Sequence, residues 1–342
     1  MMQNKVCCFG ELLFRMSPAN DSLQTNSMPF YIGGAEFNAA TALANWNIPV
    51  KYVTAIPDNY LSKQVVQYID EKNIDSTEII FSGNRIGIYY LPVGSELKNA
   101  GVIYDRANSS FAELRPGVID WNKILADCSW FHFSAISSAL NENVAAVCKE
   151  ALEATSSKGI PISVDLNYRS KLWQYGKQPV EIMPELVKHC NVLMGNIWAV
   201  ESLLGIQSPI ESSTGKTHQQ LTDAAAESML QLHKQYPQAT TFAYTYRLEN
   251  NYWAVLQHGN ELAVSNKYNV NDVVDKVGSG DCFMAGLIYG LYQKHPVQGM
   301  VEYATAAAVG KLYEAGDATK QSIENINQKI ISEQRKFNHT KN

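Results

Sequence analysis

The chain has 342 residues, 46% of them hydrophobic, and a formal net charge of −5. That is ample to bury a core, and it argues against a nucleic-acid partner, which needs a broad basic surface. The six cysteines (Cys7, Cys8, Cys128, Cys148, Cys190, Cys282) form no C-x-x-C pair and have no histidine at metal-ligand spacing, so they read as reduced, mostly buried residues. No basic leader precedes an apolar run and no apolar stretch reaches the roughly 18 residues that a bilayer span needs, so a cytoplasmic protein with no membrane partner is expected.

Short β-rich runs alternate with longer amphipathic segments, the pattern of a mostly parallel sheet covered by helices. In chain order the expected strands are Lys5 to Phe9, Lys51 to Ala55, Trp130 to Ser134, Ile162 to Asp165, Val192 to Met194 and Thr241 to Thr245. The expected helices are Glu36 to Trp46, Leu61 to Lys72, Glu142 to Lys158, Ala224 to Gln235, Asp281 to Lys294 and Val297 to Glu314. Two regions break the alternation, 11–32 and 85–106. In the second, Ile86-Gly-Ile-Tyr-Tyr-Leu-Pro and Val102-Ile-Tyr-Asp-Arg read as strands joined by a Gly/Ser loop. Together they predict a small β-sheet lid set into an α/β core of residues 1–10, 33–84 and 107–325, with a charged helical tail at 326–342. A lid of this kind would close a cleft at the carboxyl ends of the parallel strands.

The richest segment is Asp272-Val-Val-Asp-Lys-Val-Gly-Ser-Gly-Asp281, followed by an apolar helix. Gly278 and Gly280 allow a tight turn whose N–H groups converge on one point, and the helix adds its positive dipole end there. An anion suits that position, and the Asp281 carboxylate beside it could accept the proton of a hydroxyl taking up a phosphoryl group. Read locally, the same residues are also a plain turn with an aspartate capping a helix. Likewise Gly33-Gly34 permits close backbone approach to a ligand hydroxyl or is a tight loop, and Asn38 either bonds hydroxyls or caps its helix. Arg169 follows the strand ending at Asp165, and Arg106 follows the lid strand containing Tyr104; two guanidinium groups converging on a cleft suit a carboxylate. His132, inside an apolar run, reads as a core histidine.

Two separated motifs, Gly33-Gly34-Ala35-Glu36-Phe-Asn38 and Asp275-Lys-Val-Gly278-Ser-Gly280-Asp281, resemble the signatures of the ribokinase-like, or PfkB, carbohydrate kinases over roughly Lys5 to Gly316. The resemblance implies a three-layer α/β/α sandwich with a mostly parallel central sheet and a lid sheet, and an enzyme using ATP with magnesium. It implies Asp281 as catalytic base and the N–H groups of Gly278, Ser279 and Gly280 as an anion hole. The form Gly-Gly-Ala-Glu-x-Asn is most similar to the 2-keto-3-deoxygluconate kinases. In that branch Gly33, Gly34, Asn38, Tyr89, Tyr104, Arg106, Asn167, Arg169 and Asp317 match sugar-acid positions. A kinase of a neutral ketose, as in fructokinases, and a catalytically silent sugar-binding protein are the alternatives.

The nucleotide side departs from the family pattern. Asn196 is retained, but Ala199 stands where a glutamate is expected, so no metal ligand is assigned. Thr245 is followed by Arg247 in place of a glycine, in a segment that otherwise serves the nucleotide. Asn196, Thr245 and Arg247, with Gly278 and Gly280, are the expected ATP contacts. A lid sheet with one exposed face also suggests a homo-oligomer formed through it.

Overall fold

Parallel strands buried on both faces need apolar residues on both sides, and Lys5–Phe9 shows how this chain meets that need. Its Val6 and Cys8 belong to one apolar cluster, while Cys7 and Phe9 belong to another on the opposite face. In this computed structural model, which describes residues 4–19, 21–92, 101–248 and 250–339 (337–339 by backbone alone), Lys5–Phe9 lies within a ten-stranded sheet. Ile74–Asp75, Val50–Val53, Lys5–Phe9, Cys128–Ser134, Ile162–Asp165, Val192–Gly195 and Thr241–Leu248 run parallel in that order. Asn251–His258 and Glu261–Val264 then extend the edge in antiparallel fashion.

Helices Ala35–Asn45, Ser279–Tyr292 and Val297–Lys311 pack on one face through residues such as Phe37, Phe283 and Val301. Glu142–Ser157, Pro179–Val187, Ile197–Leu204 and His218–Gln235 cover the other through Val147, Leu186, Leu203 and Leu232. The result is the three-layer α/β/α sandwich. Its first six expected strands and six expected helices are all present, with ends shifted by a few residues.

A second, four-stranded sheet is built by both irregular regions together. Its order is Phe30–Gly33, Leu13–Met16, Gly87–Tyr90, Ile103–Asp105, and the parallel pairing of Leu13–Met16 with Gly87–Tyr90 joins the two insertions. The Gly/Ser loop expected between the last two strands falls at 93–100, outside the described residues. Phe30 and Ile103, on the two edge strands, are 58% and 62% exposed.

Thr245 and Arg247 lie in a hairpin of the large sheet. The strand that begins at Thr241 continues to Leu248 and turns directly into Asn251–His258, with Leu248 opposite Asn251. Alternating large residues explain this: Tyr244, Tyr246, Trp253 and Val255 are all buried, and Tyr246 stacks on Trp253 with ring centroids 4.3 Å apart. Such cross-strand aromatic pairs hold a hairpin together. The final helix, Ile323–His339, is anchored by the fully buried Ile326. Among the described residues no helix is long and apolar enough to cross a membrane.

Candidate active site

A cleft of about 1120 Å³ opens at the carboxyl ends of the parallel strands, with residues of the small sheet along one wall. The core supplies Asp165, Asn167, Arg169, Asn196, Thr245 and Arg247 from the ends of three neighbouring strands, together with Gly278 to Asp281. The small sheet and its flanks supply Tyr89, Tyr104 and Arg106, while Gly34, Asn38 and Asp317 complete the set. Of the residues expected at a site, Gly33 alone is not on the cleft wall. It ends the strand Phe30–Gly33 behind the wall, where an added Cβ would run into the Asp317 carboxylate.

The turn at Gly278 is fixed by sterics. Gly278 has φ of +78°, and the Asp317 carbonyl oxygen occupies the place that a Cβ would take. Only glycine fits both conditions. Helix Ser279–Tyr292 starts immediately afterwards, and its first internal hydrogen bond runs from the Cys282 N–H to the Gly278 carbonyl at 2.8 Å. The N–H groups of Ser279, Gly280 and Asp281 precede that bond and, like the first donors of any helix, have no carbonyl within it. Gly280 has open space where a Cβ would project. The local geometry is therefore a helix start with its positive end in a cleft.

Asp281 follows in the first turn. The Asn38 amide donates to its Oδ2 at 2.7 Å, so Asn38 holds this carboxylate in place. Burial raises the Asp281 carboxyl to about 6, against the pull of Asn38, Arg169 and Lys311 in the other direction. A neighbouring acid in the same helix that carries Asn38, Glu36, is 1% exposed and raised by burial to about 7. It accepts the Ser134 N–H at 2.9 Å, the Ser134 hydroxyl at 2.6 Å and the Ser137 hydroxyl at 3.2 Å.

Two buried arginines, one in the small sheet and one at its flank, form ion pairs beside the cleft. Arg15 reaches Asp275 Oδ2 at 2.6 Å through Nη2 and Asp317 Oδ1 at 2.7 Å through Nε, with its guanidinium 4.4 Å from the Tyr31 ring centre. Asp317 also accepts the Tyr89 hydroxyl at 2.7 Å, and burial raises its carboxyl although Arg15 opposes the shift. Arg106 meets Glu11 Oε2 at 2.6 Å through both Nε and Nη2, and the Ser109 hydroxyl donates to the other Glu11 oxygen. Glu11 and Arg106 are 2% and 4% exposed, so this pair is internal. Of the two expected arginines, Arg106 thus has its charge matched within the protein. Arg169 is different: it donates to the Tyr168 carbonyl at 3.0 Å and forms no ion pair among the described residues.

On the remaining wall, Asn196 caps helix Ile197–Leu204 by accepting the Ala199 N–H at 2.9 Å. Thr245 Oγ1 is 3.5 Å from the Gly195 carbonyl, and Arg247 projects from the hairpin strand into the lining. Glu201 is exposed and off the cleft. Asp165, at the end of its strand, has no hydrogen bond among the described residues, and burial holds its carboxyl well above the usual range. Among the described residues no group of three or more His, Cys, Asp or Glu side chains is arranged to hold a metal. His132 is a core residue: its Nδ1 lies 3.0 Å from the Ser163 hydroxyl, and burial lowers it to about 4.

Sequence reasoning did not assign roles to Glu11, Arg15, Glu36 or Asp165. Glu36 sits inside a quoted motif and Asp165 ends the strand before Arg169, so both could have been found as acids next to site residues. Glu11 and Arg15 carry no local signal.

An α/β/α sandwich with a small inserted sheet, whose cleft holds a helix start and an aspartate, has the architecture of the ribokinase-like carbohydrate kinases. The chain belongs to the pfkB family of carbohydrate kinases, whose model matches residues 3–323. It is 26% identical over 333 residues to a 2-dehydro-3-deoxygalactonokinase of Haloferax volcanii, covering 95% of this chain and 97% of that one. Among solved structures it resembles the 2-dehydro-3-deoxygluconokinase of Thermotoga maritima with a TM-score of 0.86 and 32% identity, covering 96% of this chain and 99% of the other. A PfkB family carbohydrate kinase of Listeria grayi matches with a TM-score of 0.83 and 27% identity, over 96% of this chain and all (100%) of that one. The protein is a sugar kinase.

Two predictions follow from the geometry of the turn and of Asp281. Gly278→Ala is expected to destabilise the fold by roughly 1–3 kcal/mol, as overpacking does. Gly280→Ala should leave the melting temperature unchanged or raise it, because alanine improves helix propensity by up to about 1 kcal/mol. Its methyl nevertheless enters the space where an anion would sit, so turnover should fall by about tenfold or more. Thermal melts beside steady-state rates check both, and a stable, fully active Gly280→Ala would remove the anion site from this turn. For Asp281, kcat/KM should rise with pH through about 6 and level off above it. The sign for stability is opposite. Because the folded carboxyl is raised from 3.8, ionising it costs stability; that cost is absent below pH 3.8, grows up to about pH 6 and is full above. Asp281→Asn should accordingly be at least as stable as the parent at pH 8, as read by urea unfolding.

Proposed function

We propose that the enzyme transfers the γ-phosphoryl group of ATP to the terminal hydroxyl of 2-keto-3-deoxygluconate, giving the 6-phosphate and ADP. The observation that carries this reading is one cleft that brings together a helix start, an aspartate raised by burial, and an arginine with no ion-pair partner among the described residues. Asn38 occupies Oδ2 of Asp281 and leaves Oδ1 for the hydroxyl. As the sugar oxygen attacks phosphorus and the bond to ADP breaks, Asp281 takes the hydroxyl proton. The N–H groups of Ser279, Gly280 and Asp281 stabilise the charge on the transferring group.

Arg169 is the natural partner for the substrate carboxylate, through paired hydrogen bonds. Arg106 shapes the same wall, with Tyr89, Tyr104 and Asn167 beside it. Thr245 and Arg247 flank the nucleotide side. Magnesium would be held mainly by phosphates and water, with Asp165, which has no hydrogen bond among the described residues, as a hard oxygen donor on the cleft wall. When bound with ATP, it would neutralise phosphate charge.

The neutral-ketose reading gives Arg169 no anion to meet. It is separated by measuring ADP release with 2-keto-3-deoxygluconate, its galactonate epimer, fructose and ribose in parallel. Turnover confined to the acids is expected; turnover on fructose would transfer the assignment to a ketose kinase. Asp281→Asn should lose about 100-fold or more in kcat. Arg169→Ala should raise KM for the acids by about 10- to 100-fold, the range of a charge-assisted hydrogen bond, and leave neutral sugars alone. Arg106→Ala should instead cost about 3–5 kcal/mol of stability by stranding the Glu11 charge. If Arg106→Ala proves stable and Arg169→Ala discriminates no acid from neutral sugar, the carboxylate assignment is wrong.

A further inference from the structure

Helix Val297–Lys311 ends on a lysine whose side chain has no exposed surface. Its Nζ donates to the Glu314 carbonyl at 3.0 Å, and among the described residues no carboxylate lies within ion-pair distance of it. An ammonium buried without a counter-ion is among the costliest arrangements a fold can hold. The carboxylates around it are already engaged: Asp275 and Asp317 face Arg15, and Glu314 accepts the Thr319 hydroxyl and the Lys320 N–H.

Its location is specific. The Lys311 Cε lies 3.3 Å from the position of a Cβ on Gly278, so the side chain runs directly behind the turn whose N–H groups enter the cleft. The lysine is therefore on the protein side of the same backbone that an anion would meet on the other side.

We propose that Lys311 is an electrostatic positioning residue, a built-in positive charge behind the Gly278 turn that strengthens the anion site and keeps Asp281 ionised. This rests on the reading of Asp281 as the base. Two same-signed sources, the ammonium and the helix start, then act on one point across a thin layer of backbone, where low dielectric makes charge felt most. Burial lowers the Lys311 ammonium, and in turn Lys311 pulls the Asp281 carboxyl down. The other groups facing these two are Arg169, Asp317, Glu36, Asp165, Tyr89 and the Cys282 thiol on the side of Asp281, and Asp275, Asp317, Glu314 and the same thiol on the side of Lys311.

A lysine at a helix C-terminus can also serve simply as a cap for the last carbonyls. The test separates the two roles. Lys311→Met keeps the aliphatic stem and removes the charge. It should lower kcat about tenfold and move the acid limb of the kcat/KM profile to higher pH by on the order of half a unit. KM for the sugar acid should stay within about twofold, because the loss falls on the transition state. The melting temperature should hold or rise, as it often does when a buried charge is replaced by an apolar group. A lower melting temperature with an unmoved acid limb and unchanged kcat would make Lys311 a helix cap and overturn the proposal.

Should Lys311→Met fail to fold, Lys311→Ala assayed with added methylammonium gives a second reading. Recovery of kcat with methylammonium, and not with equal ionic strength of a tetraalkylammonium salt, supports the proposal; no recovery overturns it. Asp281→Asn is run alongside. If that variant keeps turnover, the base assignment falls and takes this inference with it. If Asp281→Asn is inactive while Lys311→Met matches the parent, the inference alone falls.

Discussion

The structure turns on the contact between the Gly278 backbone and the Asp317 carbonyl, which is too close for any other residue at 278. That contact sets where helix Ser279–Tyr292 begins, and so where its free N–H groups and Asp281 stand. It also fixes Asp317, whose side chain takes Arg15 and Tyr89 from the small sheet. A single tight turn thus aligns the helix start in the cleft with the wall opposite. Loosening it would displace groups from both sides together, because a packed interior transmits a shift rather than absorbing it.

The cleft and its walls crowd several acids together, and the way each is compensated sorts structure from chemistry. Glu11 is matched by Arg106 and Ser109, Asp275 and Asp317 by Arg15, and Glu36 by three hydrogen bonds from Ser134 and Ser137. Asp281 has one amide and Asp165 has no hydrogen bond among the described residues. A carboxylate left short of donors in a partly desolvated space is raised toward neutrality and is ready to receive a proton or a cation. The same reasoning distinguishes the arginines. Arg106 lies on the wall but spends its charge on Glu11, whereas Arg169 donates to the Tyr168 carbonyl and forms no ion pair among the described residues. Proximity to a cleft is a poor guide to function until internal partners have been accounted for.

That accounting is what sequence could not supply. Strands such as Lys5–Phe9 and Ile162–Asp165 are legible because a parallel strand buried on both faces is a compact apolar run, and the two glycine motifs are legible because turn chemistry is local. The hairpin through Asn251 was not, since its signal is alternation of aromatic residues across a turn, in a segment read by its departure from a nucleotide pattern. Arg15 pairs with Asp275 over a separation of 260 residues, and no spacing rule reaches that far. Lys311 is hidden differently: within an apolar helix it looks like one polar residue on a helix end, and its meaning comes only from the turn packed against it. Asn38 and Asp281 were each singled out in the sequence, but the hydrogen bond between them was not, because it joins two separate motifs.

Asp317 links the small sheet to the start of helix Ser279–Tyr292. Its main chain presses on the Gly278 turn, while its carboxylate accepts the hydroxyl of Tyr89, a residue of the small sheet. A ligand that moved Tyr89 would pull on Asp317 Oδ2, and through the rigid backbone contact on Gly278. The small sheet then contributes more than a cover, because its attachment through Arg15, Tyr89 and Asp317 ends at the Gly278 turn. Binding energy gained far from the transferred group has, in that connection, a direct mechanical route to where it can be spent on alignment.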